Sequence, residues 1–363
     1  MKLIIGGGCA EHGRNCFYFT NGTHSVIVDC GKIAGSYDCY PHLTTQQIQQ
    51  ADYLLLTHSH NDHSGALPWL LQNGFSGKLV MTAATRNQLP PSLALCHSIL
   101  IDELAAPKQS LQLEPWLSLT WGRTGHCAGS CWYLLSFAGR RVLCSGDYIE
   151  GSPAYAADAL RGISADLAVI DTAYAGGTQT AAEMRQGFAA GLQSLQAERP
   201  LLLLPVPKYG RGLDILLTLR QALPAMLIYI DDCLATQLLQ LHSHRHWLTV
   251  NALHSLQALQ WQKLDYTQPP AIGACLFCDP QIKQAASYRL ITSLAGRAVA
   301  VASGHLDAGS NAARLADAGL LLNIPYPVHG TQVQLDSLIS HNNFDQIVAN
   351  HSALLPNPQS LEF

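Results

Sequence analysis

Short apolar runs broken by polar turns set the outline of the chain. Residues 16–20 (CFYFT) and 25–29 (SVIVD) read as strands flanking Asn21-Gly22, a favoured hairpin turn. Residues 43–50 open as a polar helix, and residues 53–56 (YLLL) have the length and flanks of a buried strand. A helix is predicted from residue 66, over ALPWLLQ, and a strand over 78–82. Residues 132–137 and 141–145 predict a second hairpin around Ala138-Gly139, and the run LAVID predicts a buried strand ending at Asp171. An amphipathic helix follows over 180–197. From residue 200 the pattern alternates: strand over LLLL, a Gly-Arg turn, a leucine-rich helix to 223, then a strand over LIYID. That alternation implies an α/β domain of its own at roughly 200–320. The last third ends with a leucine-periodic helix after PVHG and a strand over FDQIVAN.

Composition adds a few bounds. With 363 residues the chain can bury a large core, and 48% hydrophobic with 13% charged content marks a globular protein. No apolar run approaches a membrane span, and the start MKLIIGGGC is too short for a signal peptide, so a soluble cytoplasmic protein is expected. The 11 cysteines lack a framework spacing and read as free thiols; the lone CxxC at Cys275 and Cys278 reads as small buried hydrophobes. A net charge of −4 gives no global field for nucleic acid, so a polyanion would have to be held in a local cleft.

Candidate chemistry concentrates after the strand at 53–56, where residues 57–65 read THSHNDHSG. His58, His60, Asp62 and His63 arrive within six positions. Side chains two apart on extended backbone point the same way, so His58 and His60 can share one ion. Asp62 and His63 fall where the chain must turn, and Ser64-Gly65 permits the turn. Imidazole with carboxylate suits zinc at a hydrolytic site; the plainer reading is a polar loop rich in histidine. His97 reads as a partly buried structural histidine, and His242, His244 and His246 as a solvated surface. Lys208 and Arg211 could face a phosphate backbone.

The HxHxDH stretch closely resembles the signature of the metallo-β-lactamase superfamily. The same resemblance extends to GHCAGS at His126 and SGDY at Asp147, in family order and context, and to Asp29 at a strand end. GGGCAEHGRNC resembles the opening of members that process RNA. LAVIDTAYAG, the Gly-Arg segment and the late histidines resemble the β-CASP group, the nucleic-acid-processing branch. Two pairings of late histidines fit: His305 with His329, 24 apart, or His329 with His351, 22 apart. Context favours His329, before a helix, and His351, after a strand; Pro325 and Pro327 spoil the run before His329 as a strand. The VHG at His329 argues the other way, and ANHS replaces the usual VHGE at His351.

The resemblance implies an αββα sandwich over 1–199, an inserted α/β domain over 200–320 and a return to the sandwich over 321–363. It implies two zinc ions, with manganese left open. His58, His60 and His126 hold one; Asp62, His63, Asp147 and His351 hold the other, Asp147 bridges, and Asp29 supports the ligands from behind. A water between two dications is acidified and becomes the nucleophile, oriented by Asp62, while His329, supported by Asp171, protonates the leaving oxygen. The expected activity is a zinc-dependent nuclease acting on single-stranded nucleic acid, RNA first, with a homodimer left open. The alternatives are a DNA nuclease of the repair branch, a thioester or lactone hydrolase, and a non-cutting RNA-binding subunit.

Overall fold

The computed structural model describes residues 1–11, 13–33, 35–94, 97–352 and 359–363. The chain divides into two compact units: Met1–Glu150 with Ala156–Thr178 and His329–Phe363, and Gly151–Tyr155 with Gln179–Val328.

The first unit is built on two sheets. In one, strands run in the spatial order Ser360–Glu362, Lys2–Gly7, Cys16–Thr20, Ser25–Val28, Tyr53–Leu55, Lys78–Met81 and Ser98–Leu100. In the other, the order is Asn343–Asn350, Ser164–Asp171, Arg140–Cys144, Cys131–Phe137, Leu117–Arg123 and Ser110–Glu114. The alternation of the strands explains the layering. Ile27, Leu54 and Leu79 face helices Thr45–Gln50 and Leu67–Gln72, where they meet Ile48, Leu67 and Leu70. Leu143, Ala168 and Ile170 face helix Gln332–Ser340 through Leu338. Between the sheets, fully buried Tyr133 donates to Leu56 O at 3.0 Å. This is the αββα sandwich that the resemblance implied. Emptying one of its core positions, for example Leu54→Ala, would cost about 2–5 kcal/mol.

The second unit carries a parallel sheet, in the order Gln262–Lys263, Ile228–Ile230, Gly273–Phe277, Leu201–Pro205, Ala298–Ala302 and Leu321–Asn323. Leu201–Pro205 is buried along its whole length, as a central parallel strand requires. Helix Ala181–Glu198, expected with the first domain, lies in this unit, as does the segment Gly151–Tyr155. Asp214 holds that segment: its Oδ1 accepts from Ser152 Oγ at 2.7 Å and Ala154 N at 3.0 Å.

Local readings differ at two places. The Asn21-Gly22 hairpin closes through residues 21–24, with Thr20 opposite Ser25 and Asn21 Oδ1 accepting from Thr23 N and His24 N. The turn expected at Asp62 is a helical turn, Asn61–Ser64, with His60 at its N-terminal position accepting from His63 N and Ser64 N through its backbone carbonyl. Among the described residues no helix is long and apolar enough to cross a membrane.

Candidate metal centre

Strand ends of the first unit supply the site. Strand Tyr53–Leu55 leads into Thr57, His58 and His60, and the Asn61–Ser64 turn carries Asp62 and His63. Asp147 follows strand Arg140–Cys144, Asp171 closes Ser164–Asp171, and His351 follows Asn343–Asn350. The last three strands are parallel neighbours, so their carboxyl ends emerge on one edge. His126 comes from the loop before Cys131–Phe137, and His329 precedes helix Gln332–Ser340.

Ligand atoms gather in three groups, each with all its atoms within 4.8 Å of one another: His58, His60, His126 and Asp147; Asp62, His63, Asp147 and His351; and Asp147, Asp171, His329 and His351. Asp147 is common to all. Its Oδ2 lies 3.3 Å from His126 Nε2 and 3.5 Å from His58 Nε2, while Oδ1 lies 3.0 Å from His63 Nε2. The carboxylate therefore turns one oxygen toward each of the first two groups. His351 Nε2 and His63 Nε2 lie 3.6 and 3.7 Å from Asp62 Oδ2. Among the described residues, the fully buried His58 Nε2 finds no hydrogen-bond partner, as expected of a nitrogen aimed at a cation. The donor set fits a divalent metal.

Supporting contacts fix these rings. Asp29 Oδ1 accepts from Thr57 N and its Oδ2 from Thr57 Oγ1, both at 2.8 Å, and Oδ2 lies 2.8 Å from His63 Nδ1. This turns the His63 Nε2 edge away from Asp29 and into the cluster. Asp171 Oδ2 lies 2.7 Å from His329 Nδ1, and its Oδ1 lies 3.2 Å from His351 Nδ1. Asp171 thus holds both late histidines, a second role that the sequence did not suggest. Tyr174 lies beside His329, ring centroids 5.3 Å apart and the planes tilted by 53°.

Charge follows burial and pairing. Burial, then the positive charge of His63, hold His58 well below the ordinary imidazole value. Burial would lower His63 and His351 too, but the carboxylates around them win. Asp147, Asp29 and Asp62 raise His63 well above its usual value. Asp147, Asp171 and Asp62 push His351 up to about 10. Asp147 and Asp171 sit below the ordinary carboxylate value despite burial, through the histidines they face.

Every expected ligand, His58, His60, Asp62, His63, His126, Asp147 and His351, falls in the first two groups; His329 and Asp171 fall in the third, and Asp29 lies behind His63. His305 belongs to the second unit and to none of the groups. His97 is exposed, not partly buried: it lies just before Ser98–Leu100, the strand at the edge of the first sheet. Arg211 packs its guanidinium against Gly304, and Lys208 Nζ stands 5.2 Å from the Tyr209 ring centre. Asn15 was missed. Fully buried, its Nδ2 lies 2.9 Å from Asp62 O, His63 Nε2 and His351 Nε2. Its only signal was its place in GGGCAEHGRNC.

A family model described as metallo-beta-lactamase superfamily matches residues 10–196, just over half of the chain. The chain is 27% identical over 266 residues to the transcription termination factor FttA of Methanothermobacter thermautotrophicus, covering 63% of this chain and 42% of that protein. It is 26% identical over 263 residues to a ribonuclease of Thermus thermophilus, covering 67% of this chain and 61% of that one. Each match thus spans less than two thirds of the relative. The crystal structure of a protein of unknown function from Enterococcus faecalis V583 shares the fold, with a TM-score of 0.60 at 12% identity over 99% of this chain and 96% of that one.

Proposed function

The chain belongs to the metallo-beta-lactamase superfamily, and from that premise we propose that it is a two-zinc nuclease of the β-CASP group that hydrolyses phosphodiester bonds in RNA. The observation that carries the reading is Asp147 standing between two four-ligand groups, one oxygen toward each, with the Asp171–His329 pair beside them. His58, His60 and His126 would hold one ion and Asp62, His63 and His351 the other, with Asp147 common to both. Imidazole and carboxylate donors support zinc, with manganese as the alternative. Two bound dications would acidify a water and stabilise negative charge on the attacking and leaving sides of an in-line displacement.

The protein's own groups supply the rest. Asp62, on the half-buried side of the cluster, can accept a hydrogen bond from the attacking water. Asp171 fixes His329 through Nδ1, which leaves Nε2 to give a proton to the departing oxygen. His351, on the other Asp171 oxygen, is held as a ligand. A nuclease needs both roles, since an alkoxide leaves poorly without a proton. The name of the Thermus thermophilus relative supports RNA as the polymer.

The test is cleavage of end-labelled single-stranded RNA and DNA of matched sequence by zinc-loaded protein, beside an Asp62→Ala/His63→Ala control. RNA cut into fragments, with an inactive control and two zinc ions per wild-type chain, supports the proposal. Preferential cutting of DNA moves the substrate to DNA. Intact polymers with both metals bound would sink the nuclease reading in favour of thioester or lactone substrates.

A further inference from the structure

Cys233 and Cys278 lie in the second unit and take no part in the chemistry above. Cys233 is the second residue of helix Asp232–Leu241, and Cys278 directly follows strand Gly273–Phe277. Strand Ile228–Ile230 pairs in parallel with Gly273–Phe277, with Ile230 opposite Leu276, so the two segments leave the sheet side by side. Asp231 ties them together: its Oδ1 accepts from Leu234 N and its Oδ2 from Cys278 N, both at 2.8 Å. One side-chain amide then meets both sulfurs, Gln237 Nε2 lying 3.5 Å from Cys233 Sγ and 3.2 Å from Cys278 Sγ. Both cysteines are partly exposed.

The two thiols are chemically unequal. The hydrogen bond from Cys278 brings Cys233 down to about 7, against burial and the Asp231 charge, with Gln237 and Lys208 assisting. The same hydrogen bond, with burial, raises Cys278. Tyr209 also lies near both thiols, and Tyr266 near Cys278. A thiolate in the first turn of a helix is also favoured by the unpaired backbone N–H groups there. Cys16 and Cys30 are a second neighbouring pair, but both are fully buried, and burial pushes Cys30 well above its ordinary value. That pair lacks access, and Cys30 is held as the thiol.

We propose that Cys233 and Cys278 form a peroxide-reactive dithiol, with Cys233 as the attacking thiolate and Cys278 as the resolving thiol. The Cys233 thiolate attacks one oxygen of a hydroperoxide. An S–O bond forms, the O–O bond breaks, and the departing oxygen takes a proton and leaves as water or an alcohol. Cys233 is oxidised by two electrons to the sulfenic acid, and the peroxide is reduced. Cys278 then gives up its proton and attacks the Cys233 sulfur; the S–S bond forms, the S–O bond breaks, and water leaves. The product staples the start of helix Asp232–Leu241 to the end of strand Gly273–Phe277. This goes beyond the nuclease reading and does not rest on it.

The test treats the full chain with hydrogen peroxide, blocks remaining thiols with N-ethylmaleimide and maps the peptides by mass spectrometry. The expected product is a Cys233–Cys278 linkage lighter by two hydrogens and reversed by dithiothreitol. Initial alkylation of Cys233 should be half-maximal near pH 7. In Cys278→Ser, Cys233 should accumulate as a sulfenic acid that adds dimedone; in Cys233→Ser, Cys278 should stay alkylatable. Oxidation of Cys233 no faster than that of the partly exposed Cys9 and Cys39, or linkage to a different cysteine in the wild-type chain, would overturn the proposal. Neither of those readouts depends on how well a variant folds.

Discussion

Asp147 shows how much rests on single atoms. Its two oxygens face different histidine sets, so Asp147→Asn, with one neutral amide nitrogen, removes a ligand from one group and the negative charge from both. Asp29 acts one bond further out, through His63 Nδ1 and Thr57. Asp29→Ala is expected to weaken metal binding about 10–100-fold, measured by chelator competition, with the far-ultraviolet circular dichroism unchanged. His329 and His351 separate cleanly, because only His351 also belongs to the Asp62–His63–Asp147 group. His329→Gln should keep both metals and lose about 10²–10⁴-fold in kcat, whereas His351→Ala should lose metal as well. A His329→Gln protein of full activity would remove the proton-donor role. The HxHxDH ligands were legible in the sequence because a few bonds of backbone bring them together. Asn15 was not, because a buried asparagine touching two imidazoles looks, along the chain, like any polar residue in a glycine-rich loop.

Elements set the precision of the site, and close approach between them leaves no slack. Gly31 passes against the Asn61–Ser64 turn so closely that a Cβ there would overlap the Asp62 carbonyl. Gly31→Ala should therefore displace the turn and abolish binding at the Asp62–His63 group, read as about one metal lost per chain with a lowered unfolding midpoint. In the second unit, Asp214 on helix Arg211–Ala222 holds the 151–155 segment from a buried position. Burial pushes its carboxyl from 3.8 up to about 7. The folded protein keeps a proton that the unfolded chain has lost, so this stabilisation is present below about pH 4 and disappears as pH rises through about 7. Asp214→Asn, which keeps the carbonyl acceptor, should narrow the stability difference between pH 5 and pH 8 by at least about 1 kcal/mol in urea unfolding. An unchanged difference would show that Asp214 is ionised in the folded state. The hairpin at Ala138-Gly139 came straight from the sequence, both residues taking the positive φ that a two-residue turn demands. The loop after Thr20 did not, because Asn21 Oδ1 satisfies two backbone donors and lengthens it to four residues.

At the scale of the molecule, metal and fold are coupled. The cluster joins loops from residue 15 to residue 351, so a cation held by ligands from several of them would stabilise the folded chain over the unfolded one, in which those ligands are apart. Removing metal with a chelator should lower the unfolding midpoint by about 5–10 °C, restored by adding zinc back. A midpoint indifferent to metal would mean that the rings are held by protein contacts alone. Division into units followed the strand–helix alternation only roughly, since helix Ala181–Glu198 and the 151–155 segment join the second unit by packing and by the Asp214 bonds. Local chemistry was written in the chain: the strand periods, the two-residue hairpin and the HxHxDH ligands each depend on residues within one turn or one strand. The second ligand group was legible only through the family resemblance, and the double duty of Asp171 and the place of Asn15 not at all; all three depend on atoms far apart in the chain, brought together by parallel strand ends and by the His351 N to Gly8 O bond at 2.7 Å that holds His351 at a φ of 68°. Such contacts arise from the packing of whole sheets, and no short stretch of sequence encodes them.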